Sequence, residues 1–216
     1  MLASASVAVA LVLLTSAIVA AGSAITVSTA SPRVTGLPDC HADTRPASHS
    51  DYDGWADTLL DPAHSLPEPY VPPDLSTIMI GDAEIRLRAF VVAPLRQMLD
   101  RARRAGVEVT VSSGYRSFAE QHELARTLDD PELVAKPGHS EHQLGTAVDL
   151  RGGWEWLARN SWRYGFVLSY PEARSPHATC YRHEPWHFRY VGPERAAQVH
   201  ASGLSLREWL WLETRD

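Results

Sequence analysis

Two short segments hold the residue types that metal-assisted hydrolysis requires. The first is Pro137-Gly138-His139-Ser140-Glu141-His142-Gln143-Leu144-Gly145-Thr146-Ala147-Val148-Asp149, and the second is Glu184-Pro185-Trp186-His187-Phe188-Arg189-Tyr190. A catalytic zinc takes three protein ligands from His, Asp or Glu and leaves a fourth position to water. His142 and Asp149 are two candidate ligands, and the Gly-containing turn between them lets the chain fold back so that both reach one point. His187 is the third, arriving from a distant strand. Glu184 is the candidate general base. Pro185 prevents regular ladder hydrogen bonding, so a kinked Glu-Pro-Trp-His segment can aim both Glu184 and His187 into one cavity. Zinc lowers the pKa of bound water to about 7, and a nearby carboxylate can take the water's proton and pass it to a leaving amine. His139 and His183 adjoin the candidates and could ligate, but a surface or supporting place is expected for each. His122 is expected to face solvent.

These residues need a scaffold, and hydrophobic spacing supplies one. Val91, Leu95, Met98, Leu99 and Ala102 form a stripe that predicts a helix over 90–105, with Pro94 near its first turn and Gly106 as a left-handed cap. Val107, Val109 and Val111 alternate as a half-buried strand. Ser117 and Glu120 make a capping box for a second helix reaching Leu128. Strands are predicted over 146–151, 166–169 and 187–191. A helix over 154–164 ends at Gly165, and Ser205 with Glu208 caps a last helix. Helices followed by clustered short strands predict an α+β fold: a small antiparallel sheet flanked by helices. No internal repeat is present.

The chain has 216 residues and a net charge of -6. No Lys or Arg block occurs, which argues against a nucleic-acid partner. Ala5 to Ala24 is almost wholly Ala, Val, Leu, Ile and Ser, and the first charged side chain is Arg33. Residues 1–30 therefore read as a signal peptide or a retained membrane anchor, predicting an exported protein in the cell wall or at the membrane. Residues 31–75, rich in Pro, Asp, Ser and His, read as a linker and irregular wrap, which leaves 76–216 as the catalytic domain. The two cysteines, Cys40 and Cys180, are expected to pair in an oxidising compartment; two unrelated buried thiols are the alternative.

The pattern Ser140-x-His142-x-x-Gly145-x-Ala147-x-Asp149, then Glu184-Pro185-Trp186-His187, resembles the LAS metallopeptidases, and within them the VanY-type D-alanyl-D-alanine carboxypeptidases. Ser112-Ser113-Gly114-Tyr115-Arg116-Ser117 matches the family's third motif, and the likeness runs from about Leu87 to Gly192. The resemblance implies a zinc site on the sheet, with His142, Asp149 and His187 as ligands and Glu184 as base. It implies that Arg116 stabilises charge on the attacked carbonyl oxygen, and that Gln121 and Ser140 contact substrate. Ser113, Ser140 and backbone N–H groups are candidates for the substrate carboxylate. The expected partner is a peptidoglycan stem peptide, cleaved by a monomer to release terminal D-alanine. An endopeptidase, a dipeptidase and a non-catalytic wall-binding module are the rival readings. Tyr181-Arg182-His183 departs from the small or aromatic residues usual at the pocket lip, which bears on substrate preference.

Overall fold

Among the described residues, proline and short polar side chains leave 34–48 and 51–74 without a long element. The computed structural model describes residues 34–48, 51–173 and 175–214, so the expectation for residues 1–30 lies outside the described residues. In the irregular wrap, β1 (Arg45–Pro46) and β2 (His64–Ser65) form a two-residue parallel pair. Leu59, Leu60, Ala63 and Leu66 are buried, and the chain from Ser31 to Asp216 is one compact unit.

A hairpin follows, which the sequence reading did not foresee: β3 (Leu75–Ile80) pairs antiparallel with β4 (Ala83–Arg88). Its turn places Gly81 at φ +58°, where glycine carries no Cβ penalty. Ile85 and Leu87 alternate inward on β4. Helix α1 (Ala89–Arg104) buries Val91, Leu95, Met98 and Ala102. Pro94 stands beyond the first turn, inside the helix, contrary to expectation; the buried stripe on either side holds the helix there despite the missing N–H. Gly106 N–H donates to Arg103 and Val107 N–H to Ala102, closing the helix in a Schellman motif with Gly106 at φ +75°.

The strand expected from Val107 pairs only from Thr110: β5 is Thr110–Ser113, with a bulge between Val111 and Ser113. Helix α2 (Phe118–Leu128) carries the Ser117/Glu120 capping box. A 3₁₀ turn over Glu141–Leu144 ends at left-handed Gly145 and leads into β6 (Ala147–Arg151). Helix α3 (Trp154–Asn160) and a 3₁₀ turn (Ser161–Tyr164) replace the single helix expected over 154–164, and Gly165 ends them. Then come β7 (Phe166–Leu168), β8 (His187–Tyr190), α4 (Pro193–Ser202) and α5 (Leu206–Glu213). The main sheet is antiparallel throughout, in the order β5-β6-β8-β7. Its inner face packs Val148, Leu150, Phe166 and Phe188 against α1 and α3. This is the expected α+β class.

Candidate metal centre

The sheet register does most of the assembly. Asp149 on β6 lies opposite His187 on β8 and, on its other side, opposite Ser113 on β5. Directly opposed residues bring their Cβ atoms within about 5.5 Å, so strand pairing alone joins a carboxylate to an imidazole. His142 arrives from the 3₁₀ turn that precedes β6. Its ring meets that of His187 edge-on, with centroids 4.9 Å apart. His142 Nε2 lies 3.3 Å from Asp149 Oδ2, and His187 Nδ1 lies 3.2 Å from Asp149 Oδ1. The three residues each offer a donor atom within 4.8 Å of the others. Tetrahedral zinc with bonds of about 2.0–2.2 Å needs donors about 3.4 Å apart, so this set fits the ion.

Glu184 faces the same cavity, about 190 Å³ in volume, whose wall also includes Arg116, Gln121, Ser140, Tyr170, Tyr181 and Trp186. A tight turn sets Glu184 in place: its N–H donates to Tyr170 O at 3.0 Å, and its carbonyl accepts from His187 N–H at 3.1 Å. Burial, with the carboxylates of Asp149 and Glu141 adding to it, outweighs the pull of His187 and pushes Glu184 up to about 7. Burial holds His142 below the ordinary imidazole value, which favours the neutral, ligating form. His187 goes the other way: burial lowers it, but hydrogen bonds to Asp149 and Glu141 prevail and push it up to about 10. Negative charge therefore collects where the two imidazoles converge.

Arg116 donates from Nη1 to Gln121 Oε1 at 2.7 Å and from Nη2 to Ser113 Oγ at 3.2 Å, with Nη2 3.8 Å from Asp149 Oδ2. Gln121 is buried, and its Nε2 donates to Ala135 O at 2.6 Å. Both ends of that amide are thus engaged in holding Arg116 and the 135 backbone. Ser140 lines the cavity, and its Oγ accepts from His142 N–H at 3.4 Å. Ser113 is turned to Arg116 and is not part of the cavity wall. His139 is buried rather than on the surface, bonded through Nδ1 to Asp61 O at 2.7 Å. His183 Nδ1 meets Tyr170 O at 3.0 Å. Neither joins the donor cluster, and His122 is exposed.

Residues that sequence reasoning left without a task also meet here. Glu141 is buried and bonds to His187, Arg189 and Ser169. Burial raises its carboxyl, but the Arg189 charge and the His187 hydrogen bond prevail and hold it at about 2. The available signal was period two: His187 and Arg189 share one face of β8. Cys40 and Cys180 are bonded, with Cα atoms 5.4 Å apart. The bond ties the N-terminal wrap to the loop that leads into Glu184.

The VanY family, described as D-alanyl-D-alanine carboxypeptidase, matches residues 84–193. A D-alanyl-D-alanine carboxypeptidase of Enterococcus faecalis (strain ATCC 700802 / V583) is 33% identical over 181 residues, 72% of this chain. The chain spans 66% of that relative, just under two thirds of its length. Among solved structures, VanYB in complex with D-alanine-D-alanine superposes with a TM-score of 0.65 at 31% identity, covering 75% of this chain and 99% of that one. A variant of the vancomycin-resistance D,D-pentapeptidase VanY, in complex with Zn(II), gives 0.63 at 32% identity, covering 72% and 99%. The histidines, the aspartate and the glutamate that the sheet brings to one cavity all lie within the matched span, and the chain belongs to the VanY D-alanyl-D-alanine carboxypeptidase family.

Proposed function

We propose that this chain is a zinc-dependent carboxypeptidase that removes the terminal D-alanine from peptidoglycan stem peptides ending in D-Ala-D-Ala. The observation that carries this is the convergence of His142, Asp149 and His187 beside Glu184 in one cavity. His142, Asp149 and His187 would hold the ion. Zinc bound there would acidify water and polarise a carbonyl.

The remaining chemistry belongs to the chain's own groups. Glu184, raised by burial, accepts the nucleophile's proton and returns it to the departing amine. Arg116 keeps its charge in the half-buried wall because a guanidinium does not deprotonate in proteins. Gln121 and Ser113 hold its fork, so its donors are in place before charge develops on the attacked oxygen. Ser140, on the cavity wall, is the candidate for the substrate carboxylate. A cavity of about 190 Å³ is small beside the roughly 300–1,000 Å³ usual for ligand sites, which favours the end of a peptide over its middle. The Cys40–Cys180 bond supports an exported enzyme, because disulfides persist in oxidising compartments.

The test is mass spectrometry of a pentapeptide muropeptide incubated with zinc-loaded protein. Loss of a single alanine is expected. An intact pentapeptide rejects the proposal, and an internal cut replaces it with an endopeptidase.

A further inference from the structure

Glu141 stands between Ser140 and His142, and the mechanism above gives it nothing to do. Its buried carboxylate receives three donors: Ser169 Oγ at 2.6 Å, His187 Nε2 at 3.0 Å and Arg189 Nη1 at 3.1 Å. An ionised carboxylate only accepts hydrogen bonds. Once the ring gives up a proton to become a neutral ligand, His187 Nε2 is therefore the nitrogen that keeps its hydrogen, and the lone pair falls on Nδ1, the atom facing Asp149 Oδ1 at 3.2 Å. His142 is fixed in the opposite sense. The Gly114 carbonyl, 2.7 Å away, takes its Nδ1–H and leaves the lone pair on Nε2, 3.3 Å from Asp149 Oδ2. In the neutral, ligating form each imidazole has its hydrogen committed outward and its lone pair turned toward Asp149.

We propose that Glu141 is the positioning residue of His187: it selects the tautomer that presents Nδ1 to the metal and fixes the plane of the ring. The inference rests on the zinc reading above. Glu141 is not itself a ligand, because it meets His187 on the ring nitrogen that points away from Asp149, and it lies outside both the three-donor cluster and the cavity wall. Its own orientation is secured from two strands. Arg189, fully buried on β8, donates from Nη1 to Glu141 and from Nη2 to Trp55 O at 2.8 Å. Ser169, just past β7, holds the oxygen that His187 also uses. A buried carboxylate needs such partners to stay ionised, and an ionised acceptor makes the imidazole a more basic ligand. The Trp55 contact extends this support to the N-terminal wrap.

Two measurements decide the matter. Long-range nitrogen–proton NMR of the histidines in the zinc-loaded protein is expected to show His187 protonated on Nε2 and His142 protonated on Nδ1. The reverse tautomer at His187 overturns the inference. Zinc affinity, read by competition with a chromophoric chelator, is expected to be about 10- to 100-fold weaker in Glu141→Gln, with kcat reduced more than KM is raised. Should that variant fail to fold with Arg189 left unpaired, Glu141→Gln combined with Arg189→Met removes the lone cation, and the same loss of affinity is expected. A merely structural ion pair would lower thermal stability and leave zinc affinity at the parent value, and that result overturns the inference. A parent protein that takes up no zinc sinks the functional proposal with it. Tight zinc binding that is unchanged in the variants sinks this inference alone.

Discussion

Two buried clusters in this molecule are built from the same ingredients and behave differently. One joins Asp61, His64 and Arg207, where the N-terminal wrap meets α5. Asp61 Oδ1 accepts from His64 Nδ1 at 2.7 Å and from Ala63 N–H at 2.9 Å, and Oδ2 accepts from Arg207 Nε at 2.6 Å. Arg207 spends its other donors on the carbonyls of His177 and Pro38. The other cluster joins Asp149, His142 and His187, with Glu141 and Arg189 behind them. There the outer nitrogens are committed to Gly114 and Glu141, while the inner ones converge beside a cavity. The two share acid, imidazole and guanidinium. They differ in whether the polar atoms are consumed by the protein or left facing a space that something else can fill. The closed cluster acts as a clasp; the open one can perform chemistry.

That contrast can be broken first at Glu184. Replacing it with Gln should lower kcat by about 10²- to 10⁴-fold, with zinc content unchanged by elemental analysis. A variant that keeps its turnover would place the base elsewhere. Next, Asp61→Ala should leave Arg207 buried without its acid and cost about 3–5 kcal/mol of stability, measured by denaturant unfolding. Turnover per folded molecule should stay at the parent level. Loss of turnover in the folded fraction would erase the distinction between clasp and site. Arg116→Lys should come third, at about 10²-fold in kcat, because an ammonium cannot serve Gln121, Ser113 and a developing oxyanion with one planar fork.

The smallest effect concerns acid. Burial would raise Asp61, but the His64 hydrogen bond and the Arg207 charge prevail and hold it below its ordinary value of 3.8. The folded state therefore binds this proton less readily than the unfolded chain. The stabilisation is complete above the unfolded value and is lost as pH falls through the lower folded one. Thermal melts between pH 5 and pH 2 should fall more steeply for the parent than for Asp61→Ala. Parallel slopes would show that Asp61 is not held low.

Much of the open cluster could be read from the chain. His142, Asp149, Glu184 and His187 stand in two compact segments with a turn glycine and a proline beside them, and these constraints are local. Glu141 could not be read so directly. Its meaning depends on β6 pairing with β8, which places Arg189 and His187 in register with the turn that carries it. Gln121 was expected on a capped helix with its amide available to substrate, and α2 does carry the box. The side chain is instead drawn under the 135 backbone by a contact that no helical spacing encodes. The second strand of the β3–β4 hairpin is legible, since Ala83-Glu84-Ile85-Arg86-Leu87-Arg88 alternates with period two. Helix α4 likewise advertised itself, with Pro193 at its first turn and Gly203 at its end. The inner position of Pro94 was not legible, because tertiary burial of α1 outweighs the local preference.

The Cys40–Cys180 bond closes a covalent ring, with 140 positions of sequence separating its two members. A stretching force applied along the backbone from upstream of Cys40 to the C-terminus cannot lengthen anything inside that ring. The tension crosses from one sulfur to the other and continues down the short stretch that holds Glu184 and His187. Hauled upon from its ends, this protein would yield in α5, α4 and β8, which lie outside the ring, while His142 and Asp149 stay shielded within it.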